Sequence, residues 1–529
     1  MAFEITSLGY GTYAPGQDSP DLISPAGKPN NRRLFVYSHG DVSFTRSLWN
    51  NSSFTPTKGG LSKATAFTPW ALRTPFLWHC LFAMGKEALG APLLTNRTTG
   101  PIICLNMFGK TLVVLNTHEA AFDLLSRRSK IYNGRPPSIL ISDTMTGGLA
   151  FPLVDHGDLW KRHRRAAQTV LNSRTIEKYH EIQECQSHKL AHDLLREPES
   201  WPLLIKNSLF TLFCHIGYGD EATEDIAQYL GDFMTRVVQA AIPGSSMTDF
   251  VPLLASLPSW LSPWKEFRLR QFKKDDEKFQ TTFSKFETDA SEQGSMSQTL
   301  SETREQNDMS ARESAWLTAV LCAIGSEVTS SVLPVFFLAM ALYPEVQRKA
   351  QAEIDSAIGQ DRCPTFQDRD GLPYIQALVR EVLRWRPIGP IGFPRACLQD
   401  DYYNGYLIPK GAIVIPNIWA MNRNQLLYPD YDEFRPERYL DFKADVLGAH
   451  GQGHVSYGFG DRICSGMHIA NDTLFINIAA ILQACNIFSE GESLNHGKAN
   501  HIFDELGIVT RPGEFMCQIS SRLPSEGMI

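Results

Sequence analysis

The chain has 529 residues, of which 43% are hydrophobic and 11% aromatic, enough apolar material for a large buried core. Its length allows roughly three or four average domains and does not exclude one large catalytic domain. A formal net charge of −7 gives no nucleic-acid footprint, and ten scattered cysteines without a CxxC pair point to a reducing compartment and structural thiols.

Residues 1–98 form an atypical N-terminal segment. Met1 to Thr65 is polar and rich in Ser, Gly, Asn and Pro, so it reads as loop or disorder. The apolar run Phe76 to Met84 is about half the ~20 residues a membrane span requires, and no anchor or secretory signal is visible. Sequons open at Asn50, Asn51, Asn96 and Asn471; the last falls inside an apolar periodic run and reads as chance.

Residues 99–529 read as one domain. Ile102 to Met107 and Lys110 to Leu115 are β-rich runs around Gly109, which predicts a hairpin, and Glu119 to Ser126 has helical spacing. Arg135 to Gly157, with Pro136, Pro137 and Gly147-Gly148, reads as a long loop. Trp160 and Arg164 are four apart and share a helix face. Pro243 to Trp264 is apolar and proline-broken, while Glu287 to Arg312 is polar and reads as an exposed linker. Trp316 to Tyr343 is nearly continuously apolar, but Glu327 at its centre would be costly in lipid, so a long buried helix is expected. Leu372 to Arg386 is strongly helical, with Glu381 and Arg384 three apart on one face, and Tyr402 to Pro416 is hairpin-like.

The run Ser456-Tyr-Gly-Phe-Gly-Asp-Arg-Ile-Cys464-Ser-Gly466 places one cysteine after a glycine-rich loop and before the apolar run Met467 to Leu482. A thiolate at a helix mouth is favoured by free backbone N–H groups and the positive end of the dipole. Gly458, Gly460 and Gly466 allow unusual backbone conformations and close approach to a flat cofactor. Arg462 offers a fixed fork of donors suited to a carboxylate.

This segment is similar to the haem-binding signature of the cytochrome P450 superfamily, fungal type, in which cysteine is the proximal ligand to haem iron. Four further motifs follow the family's order: Trp160-x-x-x-Arg164; Ile324 to Thr329, set against [AG]-G-x-[DE]-T-[TS]; Glu381-x-x-Arg384; and Phe434 to Tyr439, which holds Arg438. Tyr457 stands where phenylalanine is usual, and Ser465 where many fungal members have proline.

The resemblance implies a mainly α fold with small β-sheets, haem b lying between a long distal helix and a proximal loop that carries Cys464. It implies haem-propionate contacts at Trp160, Arg164, Arg395 and Arg462, and a structural triad of Glu381, Arg384 and Arg438. Pro387 to Arg395 resembles the family's strand segment lining the substrate pocket, with Ile388, Ile391 and Phe393 expected to face substrate; the Leu506 to Val509 loop is expected to line the same pocket, roofed by Arg135 to Gly157. Pro243 to Trp264 would dip into a bilayer surface or form a buried connection. Lys161, Arg162, His163 and Arg165 would be surface charge where an acidic flavoprotein docks.

The implied activity takes electrons from NADPH through a separate NADPH–cytochrome P450 reductase and inserts one oxygen atom into a small apolar substrate. A terpenoid, fatty or polycyclic aromatic compound of secondary metabolism or xenobiotic oxidation is expected. The family setting is the cytosolic face of the endoplasmic reticulum membrane. Glu327 and Thr329 are the proton-relay candidates, but Val328 occupies the place of the usual threonine and donates no hydrogen bond. Thr329 lies about 100° further round the helix. A haem-thiolate isomerase or dehydratase that does not use O2, or a non-catalytic haem-binding protein, are the alternatives.

Overall fold

The structure, a computed structural model, describes residues 6–7, 100–107, 110–241, 262–287, 294–441, 446–489, 503–506, 509–513 and 515–522. Residues 10–73 fall in a second unit that lies outside this range, as do the apolar run at 76–84, three of the sequons, Gly109 and most of the proline-broken segment 243–264. All the described elements belong to the first unit, residues 1–9 and 74–529.

The main helices are α1 (Asp158–Leu171), α2 (His180–Arg196), α3 (Trp201–Tyr218), α4 (Glu224–Ala241), α5 (Pro263–Phe286), α6 (Met296–Glu302), α7 (Ala311–Leu342), α8 (Pro344–Ala357), α9 (Pro373–Trp385) and α10 (Met467–Ala484). Helix α7 is the axis of the largest core. Ser310 caps it by accepting from the Glu313 N–H, and the Glu313 carboxylate accepts from the Ser310 N–H at 2.7 Å, so two orphan donors are satisfied at once. Its apolar length is enough to cross a membrane, but most of that surface is buried against α3, α4, α5 and α10.

The strands are β1 (Thr6–Ser7), β2 (Ile102–Met107), β3 (Lys110–Leu115), β4 (Arg395–Ala396), β5 (Asp401–Tyr403), β6 (Tyr406–Ile408), β7 (Ile413–Pro416), β8 (Cys485–Ser489), β9 (Phe503–Leu506), β10 (Val509–Pro512) and β11 (Cys517–Ser521). Five of them form one sheet in the order β1-β2-β3-β7-β4. β2 and β3 make the expected antiparallel hairpin, flanked by β1. β3 also pairs in parallel with β7, Leu112 beside Ile413, which draws together segments about three hundred residues apart in sequence. Near the C-terminus β9 pairs with β10 and β8 with β11, both antiparallel. Helices thus dominate and the sheets are small, as expected.

The structure corrects four expectations. The stretch 135–157 is not one loop: it folds into short helical turns at Ile139–Met145 and Phe151–Leu153, with Leu140, Ile141, Met145 and Phe151 buried. The polar linker at 287–312 carries α6, whose anchors Met296 and Leu300 are four apart, too few for a visible pattern. The run 402–416 splits: β5 and β6 form a hairpin with Asn404 and Gly405 at positive φ, while β7 joins the main sheet. Within 387–396, only β4 is strand.

Candidate active site

Below the cysteine loop, the α9 ion pair is fully buried. Arg384 donates through Nε to Glu381 Oε2 at 2.7 Å and through Nη2 to Oε1 at 2.8 Å. Arg438 donates to Oε1 at 3.1 Å and spends its remaining N–H groups on the Pro429 and Asp430 carbonyls. Next to this triad, Ser456 Oγ donates to the Leu383 carbonyl at 2.7 Å and accepts from Asn422 Nδ2 at 2.9 Å, while the Val455 N–H donates to Asn422 Oδ1. The triad thereby fixes the entry to the loop.

Within the loop, Gly460 has a φ of +54°, and a Cβ there would sit 2.2 Å from the Leu125 carbonyl oxygen, so only glycine fits. Gly466 uses no such freedom: its φ is −90° and it simply precedes α10. Cys464 donates its N–H to the Tyr457 carbonyl at 2.9 Å. The Tyr457 hydroxyl donates to Asn471 Oδ1 at 2.7 Å, and Asn471 Nδ2 donates to Gln452, so the side chain of the Asn471 sequon is engaged in the fold. The Cys464 side chain is accessible to solvent, yet burial by surrounding protein pushes its thiol pKa up, against the lowering influence of the Gly466 N–H and Arg164. Cys464 is thus reachable by solvent while protein surrounds it.

Four guanidiniums gather at the mouth of this loop. Arg164 donates to the Ile463 carbonyl at 2.8 Å and to Ser465 Oγ at 2.7 Å. Arg462 donates to the Asn133 and Val154 carbonyls and lies 4.4 Å from the centroid of the Trp160 ring. Arg395 donates to the Phe459 carbonyl at 2.6 Å, and Arg135 to the Pro152 and Pro394 carbonyls. Among the described ion pairs none involves any of the four. Burial, and then the like charge of neighbouring arginines, pulls Arg135, Arg395 and Arg462 down to about 9. Trp160, Arg164, Arg395 and Arg462, proposed from sequence, are therefore brought together. Arg135 was missed; its one signal was being the only charge between Gly134 and Ser142.

The expected surface charge around Trp160 is only partly there. His163 is fully buried and Arg162 pairs with Glu313 at 2.7 Å across to α7; only Lys161 and Arg165 are exposed.

On α7, Leu321, Ile324 and Val328 keep partial exposure and share one face. Gly325 serves packing: a Cβ would meet the Phe213 ring of α3 at 2.6 Å, and the helix runs unbroken past it. Glu327, 3% exposed, and Thr329, 2% exposed, flank that face. Glu327 pairs with the Arg511 guanidinium of β10, a residue no sequence motif marks. The Thr329 hydroxyl has no hydrogen bond among the described residues.

Comparison with known proteins identifies the family. The Cytochrome P450 family model matches residues 69–518. The chain belongs to the cytochrome P450 family. Cytochrome P450 monooxygenase 58 of Postia placenta is 43% identical over 438 residues, covering 80% of this chain and 83% of that one. A cytochrome P450 monooxygenase of Armillaria gallica is 36% identical over 504 residues, 92% of this chain and 93% of that one. A zebrafish cytochrome P450 structure with progesterone matches with a TM-score of 0.65 at 20% identity, covering 85% of this chain and all of that one, which shows the shared fold. Haem with thiolate ligation and oxidoreductase chemistry come with this family.

Proposed function

We propose that this P450 is a reductase-dependent monooxygenase whose haem is held by Cys464, with Arg135, Trp160, Arg164, Arg395 and Arg462 around the haem carboxylates. The observation that carries the reading is an enclosed but accessible thiol beside four guanidiniums, Arg395 buried and the other three half-buried, that form no ion pair among the described residues. The donor set fits haem. Among the described residues no group of three or more His, Cys, Asp or Glu could hold a metal ion, so an iron here would have to come within a prosthetic group that Cys464 would hold. Planar guanidiniums and an indole N–H are pure donors, as carboxylates require.

Cys464 would hold the haem iron through its sulfur, and the group would supply oxygen-activating chemistry when bound. Overall, substrate C–H, O2, NADPH and one proton give hydroxylated product, water and NADP+. Glu327 and Thr329 carry protons in this reading; Val328 cannot. The aliphatic face of Leu321, Ile324 and Val328, with Ile388 packed against the same core as Leu321 and Ile324, supports an apolar substrate of terpenoid, fatty or polycyclic aromatic type. NADPH–cytochrome P450 reductase is the proposed electron donor, and the cytosolic face of the endoplasmic reticulum the proposed setting. Phe267, 62% exposed on α5 just beyond the apolar segment, supports peripheral contact with a bilayer.

Val328 favours a second reading, a haem-thiolate isomerase or dehydratase that needs neither NADPH nor O2. One set of measurements decides. The reduced, carbon-monoxide-treated protein is expected to show the Soret band of thiolate ligation and Cys464→Ala to lose it; a retained band sinks the site assignment. Reconstitution with reductase against terpenes, fatty acids and polycyclic aromatics is expected to give NADPH-dependent product, and NADPH-independent turnover supports the second reading instead. Val328→Thr is expected to raise product formed per NADPH consumed.

A further inference from the structure

Glu327 is a buried acid in the middle of an apolar helix, and its charged partner comes from another element altogether. Arg511, on β10, pairs with its carboxylate. The same guanidinium donates through Nε to Ser331 Oγ at 3.0 Å, and Ser331 Oγ donates to the Glu327 carbonyl at 2.7 Å. One planar fork therefore grips both the acid and the helical turn that follows it. β10 is itself held in place: the Thr510 N–H donates to the Ile388 carbonyl at 2.7 Å, and β10 pairs with β9. Lys206 of α3 faces Arg511, and Asp232 of α4 in turn faces Lys206. Burial lowers the Arg511 pKa, and its side chain is about one-third exposed, so the pair reaches toward solvent at one end and into α7 at the other.

We infer that Arg511 is a positioning residue for proton delivery: it keeps Glu327 ionised and turned toward β10, so the supply of protons depends on the C-terminal hairpin and not on α7 alone. This rests on the monooxygenase reading above. A buried carboxyl that loses its counter-ion favours the neutral acid. Without Arg511, Glu327 would hold its proton where the native protein presents a carboxylate able to take one up from water and pass it on.

The test uses the haem-loaded full chain as wild type, Arg511→Met, Arg511→Lys, Glu327→Gln and the double variant Arg511→Met/Glu327→Gln. The carbon monoxide spectrum comes first: a wild type without the thiolate band overturns the haem reading, separately from this proposal. Infrared spectra are expected to show a protonated carboxyl band in Arg511→Met that is absent from wild type, from Arg511→Lys and from the double variant. With NADPH, reductase and no added substrate, hydrogen peroxide release is then followed between about pH 6 and pH 8. Arg511→Met should gain a rate change of roughly tenfold across that range, as one titrating group produces, and Arg511→Lys should restore the native profile. No new carboxyl band, or an Arg511→Met profile that superimposes on wild type, overturns the inference. Should Arg511→Met fail to load haem, the double variant strands no charge and is compared with Glu327→Gln. Matching pH profiles mean Arg511 acts through Glu327; divergent ones overturn the proposal.

Discussion

The arginines beneath the cysteine loop and those around its mouth are both wholly or partly buried, yet they are satisfied in different ways. Arg384 meets a carboxylate through two parallel hydrogen bonds and has carbonyls for the rest; burial lowers its pKa, but Glu381 more than offsets this and the net shift is upward. Among the described residues Arg135, Arg395 and Arg462 have only neutral partners, carbonyls and aromatic rings, and burial and mutual repulsion pull them down to about 9. Burying a charge without a counter-charge is costly, and proteins avoid it where they can. The lower group is complete as it stands, so its work is scaffolding. The upper group lacks a counter-charge among the described residues, and that lack is the ground for proposing that it binds an anion.

The largest expected effect separates the two. Glu381→Ala strands Arg384 and Arg438 at once and should cost about 3–5 kcal/mol in chemical denaturation; an unchanged midpoint would falsify the scaffold assignment. Arg395→Gln, in the upper group, should leave the haem-free protein as stable or more stable, because it relieves repulsion, while haem is lost faster. The pH dependence runs in opposite directions for the two forms. Arg395 has a folded pKa below its ordinary value, so the charged form is disfavoured on folding. The haem-free fold therefore carries a penalty below about pH 9 that lifts as pH rises toward the ordinary arginine value. Carboxylates need the charged form, so haem retention should weaken as pH rises through about 9. Melting curves of the haem-free protein and haem-transfer rates across pH check both, and Arg395→Gln should flatten each dependence.

The lower group was legible in sequence because Glu381 and Arg384 lie one helical turn apart, a spacing that fixes their contact. Of the upper group, the spacing of Trp160 and Arg164 gave a shared helix face, but their role came through family resemblance. Arg462 was marked by its donor fork beside the cysteine, whereas Arg395, on a two-residue strand, came through resemblance alone. Arg135 and Arg511 were not found: each is a lone cation whose partners lie far away in the chain, Pro394 for one and Glu327 for the other. The hairpin of β2 and β3 was visible as alternating apolar runs, but the parallel pairing of β3 with β7 leaves no local trace. One glycine misled. Gly466 was assigned conformational freedom, yet nothing in its backbone is unusual, whereas Gly460 does use it.

The smallest effect lies between the two groups. Arg164 belongs to the upper group, but Ser465, where many fungal relatives have proline, gives it a neutral partner at 2.7 Å beside the Ile463 carbonyl. A hydroxyl acceptor contributes about 1 kcal/mol net, so Ser465→Ala should lower the stability of the haem-free protein by roughly that amount. If Arg164 turns to a haem carboxylate on binding, the loaded protein no longer uses the hydroxyl and loses nothing. Haem affinity should then rise by about fivefold, the same free energy expressed as a ratio. Melting of both forms reads the difference directly. An equal drop in both would mean that Arg164 keeps Ser465 in the loaded state, and that this guanidinium, unlike its three neighbours, is already complete without the cofactor.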